Sequence, residues 1–234
     1  VPNLIGFLSD AHGNGRAFDR AVELLLAHGV RRLFFLGDAV GYVPSTAVLD
    51  SLARLGELVQ CIRGNHEAML LENHIDVARE PIYQLEALRP MLTPAQQLMI
   101  ASWPVSHTEL IDGQKVLLVH GSPTDPTYGY VYPDTDLAGF KPDADWVFMG
   151  NTHHPFIRER AGTRYVNIGS CGMPRDDGRY GSAALLNIET GSVRILRFDI
   201  TQETSSVLEQ FPMVHPSVRD IFERRRTVVM GDIL

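Results

Sequence analysis

A layered α/β protein, built on a mixed sheet or on two packed sheets, is the fold class this sequence predicts. Three observations lead there. In the first third, short apolar runs alternate with amphipathic helical patterns. From residue 105 onward the apolar runs follow one another, several joined by tight glycine turns. No internal repeat, low-complexity tract or Gly/Ser linker divides the 234 residues, so the chain reads as one unit. At that length roughly 70% of the unfolded chain's surface can be buried, enough for a sizeable core without staples.

Residues 3–8, from Asn3 to Leu8, read as a buried strand. Residues 16–28 then place Phe18, Val22, Leu25 and Leu26 at helical spacing, with Gly29 as the stop. A second strand covers 30–36, and a helix beginning near Pro44 and Ser45 carries Val48, Leu52 and Leu55 on one face. Residues 58–62 form a third strand, a helical stretch follows His66, and 73–101 are helical with breaks at Pro81, Pro90 and Pro94. There Thr93-Pro94 makes a good N-cap and first-turn pair. Strands at 105–111 and 115–120 flank Asp112-Gly113, a strong hairpin signal. Further strands are predicted at 146–149, 156–160, 164–168, 182–188 and 193–198, two pairs of them joined by Ala161-Gly162 and Thr190-Gly191. Beyond Asp199 only 215–225 shows a pattern, a short helix burying Val218, Ile221 and Phe222 with Arg224 to Arg226 near its negative end.

Composition narrows the function classes. Hydrophobic residues at 44% and charged ones at 21% are those of an ordinary soluble domain. A net charge of −7 speaks against general nucleic-acid binding, though it leaves room for a local basic patch. Cys61 and Cys171 allow at most one disulfide, which fits a reducing cytoplasm. No apolar run approaches the ~18 residues of a membrane span, and no signal-peptide pattern opens the chain.

The chemistry lies in what ends the strands. The first ends in Asp10-Ala11-His12, the second in Gly37-Asp38, and the third in Gly64-Asn65-His66-Glu67. The strand before 120 ends in His120-Gly121, and the one after Trp146 in Gly150-Asn151-Thr152-His153. Each alone has an ordinary reading: Asp10 or Asp38 as a helix N-cap, His120 as a packed core histidine, Asn65-His66 as a turn. Five in succession at strand ends, where sheets open onto a shared crevice, offer carboxylates, an amide oxygen and imidazoles to one or two divalent metals.

In that order these motifs resemble the calcineurin-like metallophosphoesterase superfamily. Gly37-Asp38-Ala39-Val40-Gly41-Tyr42, His120-Gly121-Ser122-Pro123 and Asn167-Ile168-Gly169-Ser170 resemble its small single-domain bacterial and archaeal branch, the YfcE-like phosphodiesterases. The likeness covers residues 4 to about 198 and leaves 199–234 as a C-terminal extension. It implies a four-layer αββα sandwich with a dinuclear centre at one edge of the sheets. It assigns Asp10, His12 and His153 to the first ion, Asp38 to both, and Asn65 and His120 to the second. It implies two divalent ions (Mn, Fe, Zn, Ni or Mg) and a metal-bound hydroxide attacking the phosphorus of a small phosphate ester, most naturally a phosphodiester. His66 would stabilise the transition state and protonate the leaving alkoxide, with Asn65 also within reach of substrate. Where the family motif has a histidine on the second ion, this chain has Asn151. An amide oxygen is a weaker donor than imidazole, so the second site is expected to be weak and to favour Mn²⁺ or Mg²⁺.

Other residues have competing readings. Glu67 either orients His66 or is a first-turn helix carboxylate, the favoured reading. Asn14 is an N-cap before a phosphate contact. Arg175 either pairs with a substrate phosphate or forms a surface salt bridge. Cys171 reads as a packed thiol. Tyr128, Tyr130 and Tyr132 wall the site or cover the sheet, with the wall preferred. His28, His74, His107, His154 and His215 receive no role, and His154 in particular should point away from its neighbour His153. The alternatives to a phosphodiesterase are a serine/threonine phosphoprotein phosphatase, a nucleotide phosphatase, or a non-catalytic binding protein keeping the fold. An apolar strand edge or the tail is available for a homodimer.

Overall fold

The computed structural model describes residues 4–72 and 75–234; Asn3 and His74 lie outside the described residues. In chain order the elements are β1 (Leu4–Leu8), α1 (Gly15–Ala27), β2 (Arg32–Phe35), α2 (Ala47–Leu55), β3 (Val59–Cys61) and α3 (Asn65–Glu72). Short helices follow, α4 (Glu80–Tyr83), α5 (Leu85–Leu88) and α6 (Pro94–Ser102). Next come β4 (Ser106–Ile111), β5 (Gln114–Val119), β6 (Trp146–Met149), β7 (Phe156–Arg160), β8 (Thr163–Asn167), β9 (Tyr180–Asn187) and β10 (Ser192–Asp199). The chain closes with α7 (Thr201–Gln210), α8 (Pro216–Phe222) and β11 (Asp232–Ile233).

These strands form two mixed sheets, ordered β11-β10-β9-β1-β2-β3 and β4-β5-β6-β8-β7. The first half-sheet is parallel because α1 and α2 make the crossovers from β1 to β2 and β2 to β3. In the second sheet, β5, β6 and β8 run parallel, and β4 and β7 are antiparallel partners of β5 and β8. The three predicted hairpins are present: Asp112-Gly113 and Ala161-Gly162 all take positive φ, with Ile111 paired to Gln114 and Arg160 to Thr163, and Thr190-Gly191 lies between Asn187 and Ser192, which pair across β9 and β10. Positive φ at both central residues matches the twist of the flanking strands.

Apolar side chains fill the space between the sheets. Phe7 of β1 stacks on Phe148 of β6, ring centroids 3.8 Å apart, with Phe34 and Trp146 alongside. Each aromatic buried this way contributes ~1.5–3 kcal/mol relative to exposure. The outer face of the first sheet is covered by α1 and α2. Asn14 caps α1 by accepting from Ala17 N at 3.2 Å, while its amide donates to the Gly172 carbonyl, so the N-cap reading holds. Phe18, Val22 and Leu25 are buried as predicted, but Leu26 is exposed and Ala21 completes the stripe. The outer face of the second sheet is covered by the irregular stretch after β5, whose Val131 and Leu137 pack on Val147 and Tyr165.

Two sequence readings need amendment. The second helix starts at Ala47, not at Pro44, because residues 39–46 are drawn into the crevice at the strand ends. The tail holds a further helix, α7, whose polar sequence hid it, and the edge strand β11, parallel to β10. Buried Arg197 of β10 ties this tail down. Its guanidinium donates to both Asp176 carboxylate oxygens and to the Met230 and Tyr180 carbonyls. A buried ion pair satisfied this fully sets geometry more than it adds net stability.

Candidate metal centre

The C-terminal ends of β1, β2, β3, β5 and β6 deliver Asp10, Asp38, Asn65, His120 and His153 to one crevice, with His12 and His66 just beyond their strands. All seven are buried. Sharp turns aim the side chains: Asp10, His12, Asp38, Asn151 and His153 have φ between 48° and 63°, the left-handed region. Glycine is required next to them. A Cβ on Gly64 would fall 2.1 Å from Asp38 Oδ1, and one on Gly41 would fall 1.9 Å from His66 Nδ1.

The hydrogen bonds fix the tautomers. Nδ1 of His12, His120 and His153 lies 3.0, 2.7 and 2.6 Å from the carbonyls of Val40, Leu36 and Met173. A carbonyl only accepts, so each Nδ1 carries a proton and each Nε2 points inward, where it presents a lone pair or holds a second proton. Yet His12 Nε2 and His153 Nε2 stand 3.1 Å apart, and His120 Nε2 stands 2.9 Å from Asn65 Oδ1. Acceptors this close call for a positive charge between them, a shared proton or a metal cation. Asp10 Oδ1, buried without a hydrogen-bond donor, is 3.2 Å from His153 Nε2. Asp38 Oδ2 lies 3.6 Å from His12 Nε2 and 3.4 Å from His120 Nε2, facing both groups, while Oδ1 accepts from His66 N at 3.0 Å. The donors present fit divalent cations.

The electrostatics agree. Burial would raise the Asp38 and Asp10 carboxyls, but the surrounding histidines hold both well below the usual range. Burial disfavours a charged His120, and the Asp38 and Asp10 charges outweigh it, lifting the imidazole to about 10. Burial, with Arg175 nearby, pushes His153 down to about 4. His66 is pushed by burial to about 3; its ring packs against Tyr42, Tyr83 and His12, and its Nε2 is 3.9 Å from Asp38 Oδ2.

Glu67 lies in the first turn of α3, as favoured, but does not merely face the helix end. Wholly buried, it accepts from the backbone N–H groups of Asp38, Ala39, Val40 and Gly64, clamping the Asp38 loop to the third strand end. Asn151 donates its amide to the Gly129 carbonyl at 2.8 Å, which turns its Oδ1 the other way. His154 faces Tyr132 and joins none of the ligand groups, as the alternation rule predicts. Arg175 has no carboxylate partner among the described residues. It donates to Tyr42 Oη at 2.8 Å, and the salt bridge goes instead from Asp176 to Arg197. Tyr130 and Tyr132 stack on each other, ring centroids 6.1 Å apart and both half exposed. Cys171 is packed, its thiol pushed up by burial. Tyr42 and Tyr83, which flank His66, carried no motif that the sequence analysis used for a role.

Two facing mixed sheets with buried carboxylates and imidazoles gathered at their C-terminal edge define a metal-dependent phosphoester hydrolase. The chain belongs to the calcineurin-like phosphoesterase superfamily: that family's domain model matches residues 4–191. A relative from Methanocaldococcus jannaschii, the uncharacterised protein MJ0912, is 25% identical, the match covering 89% of this chain and 93% of that one. The phosphodiesterase YfcE of Escherichia coli is 24% identical, over 80% of this chain and 89% of its own. Among solved structures, a metallophosphoesterase from Sphaerobacter thermophilus superposes with a TM-score of 0.77 at 21% identity, covering 95% of this chain and 99% of that one. No helix among the described residues is long and apolar enough to cross a membrane.

Proposed function

We propose that this protein hydrolyses a small phosphodiester, with Asp10, His12 and His153 holding one divalent ion, Asn65 and His120 a second, and Asp38 serving both. The observation that carries this reading is the set of inward Nε2 atoms, 3.1 Å apart at His12 and His153, facing two ionised carboxylates. Bound ions would polarise the phosphoryl oxygens and activate water for in-line attack without a covalent enzyme intermediate. The chain's own residues do the rest. The backbone N–H of His66 fixes the Asp38 carboxylate. His66 itself donates a hydrogen bond to the transferring phosphoryl group; the charge of an arriving phosphate favours its protonated form, which delivers the proton to the leaving alkoxide. Arg175, held by Tyr42 and free of carboxylates, meets a phosphate oxygen at the mouth.

The test is Mn²⁺-stimulated hydrolysis of bis-p-nitrophenyl phosphate beside p-nitrophenyl phosphate. Turnover that favours the diester supports the reading. Preference for the monoester makes it a phosphatase, and silence with every divalent ion makes it a binding protein. The second ion is expected to be the weaker, since Asn151 supplies an amide oxygen where an imidazole would bind more strongly. After exhaustive dialysis one ion per chain should remain, and Asn151→His should tighten the second by at least about tenfold. Two ions retained by the unaltered protein would refute this.

A further inference from the structure

Near the site, on the far side of His153, lies a cleft of about 370 Å³ that the phosphoester chemistry leaves unused. It opens beside His154, the residue after His153, and its far wall is the C-terminal tail, with Arg226, Val228 and Met230. Arg158 and Arg226 give the cleft its charge. The Arg158 guanidinium donates only to the Pro133 and Thr135 carbonyls; the Arg226 backbone N–H donates to Asp177, but its guanidinium has no carboxylate partner among the described residues. Asp176, the acidic residue in the wall, is already neutralised by Arg197. Arg224 and Arg175 stand close by, the former donating to the backbone carbonyl of the latter. In a chain with a net charge of −7, unpaired cations gathered at one mouth mark a place for an anion. The remaining lining is apolar (Pro133, Phe156, Val228, Met230), and the stacked pair Tyr130 and Tyr132 reaches it through the contact of Tyr132 with His154, 6.0 Å between ring centroids.

We propose that this cleft is a second-anion subsite: Arg226 and Arg158 hold a phosphate on the leaving portion of the substrate while the tyrosine pair carries its aromatic ring. The substrate class is then a nucleotide-type diester bearing a further terminal phosphate. This rests on the phosphodiesterase reading above and narrows it. The tail is positioned for the task because Arg197 binds both the Met230 carbonyl and the side chain of Asp176, the neighbour of Arg175.

The probes are an adenine dinucleotide with and without a terminal phosphate. Each is measured twice, by equilibrium binding to the metal-free protein and by Mn²⁺-dependent turnover. The phosphorylated form is expected to bind about tenfold tighter and to show the lower KM. Arg226→Gln should reduce that ratio at least about fivefold. Arg225→Gln, which removes the same charge from a guanidinium turned toward the Phe222 and Arg224 carbonyls, should preserve it. Equal affinity for the two dinucleotides, or an equal loss in both variants, overturns the subsite. If bis-p-nitrophenyl phosphate is hydrolysed yet the ratio is one, the subsite falls and the hydrolase stands. If no ester is cleaved but the binding ratio persists and falls with Arg226→Gln, the reverse holds.

Discussion

Replacing Asp38 by asparagine should lower kcat/KM for bis-p-nitrophenyl phosphate by about a thousandfold or more, a loss of ~4 kcal/mol in transition-state stabilisation. The substitution is nearly isosteric, and the amide oxygen can still accept from His66 N, so the loop keeps its shape. What disappears is the charge on Oδ2, which faces His12 at 3.6 Å and His120 at 3.4 Å. Ion content should fall along with activity, as metal analysis of the dialysed protein would show. His120, whose rise to about 10 depends chiefly on Asp38 after burial is overcome, should titrate lower. A variant that keeps both its ions and its turnover would remove Asp38 from the centre.

His66→Ala should give the opposite pattern of losses. Turnover should drop about a hundred- to a thousandfold, with bound metal unchanged, because the ring contacts Tyr42, Tyr83 and His12 without completing the ligand set proposed for either ion. The side chain also leaves a gap beside Gly41, so a melting curve belongs with the kinetics to separate chemistry from packing. If metal content falls in step with kcat, His66 is a ligand, in keeping with its place beside His12 and Asp38, and the proton-transfer role is withdrawn.

The sequence made the proposed ligands legible as one group because each sits where an apolar strand stops and a glycine lets the chain turn. That local grammar needs no knowledge of distant contacts. The hairpins at Asp112 and Ala161 were legible for the same reason. Glu67 could be placed in its helix turn but not understood, because three of its four donors belong to residues 38–40, on another strand end. Tyr83 offers no local signal at all; only the packing of α4 brings it within 4.7 Å of His66. The helix α7 was missed because it is largely polar and its few buried positions make a weak stripe. Arg175 was left between two readings, and the third dimension separated them by giving its neighbour Asp176 to Arg197.

The left-handed turns also restrict which amino acids this rim tolerates. For most side chains that conformation is unfavourable by roughly 1–2 kcal/mol, with asparagine and aspartate among the few that adopt it routinely. Position 151, at φ 63°, suits its asparagine, as Asp10 and Asp38 suit their own left-handed turns. An Asp→Asn exchange at Asp10 or Asp38 would be equally gentle on the backbone while removing the charge on which the proposed chemistry depends. The proposed catalysis would thus be lost through a single, well-tolerated substitution that leaves the architecture standing.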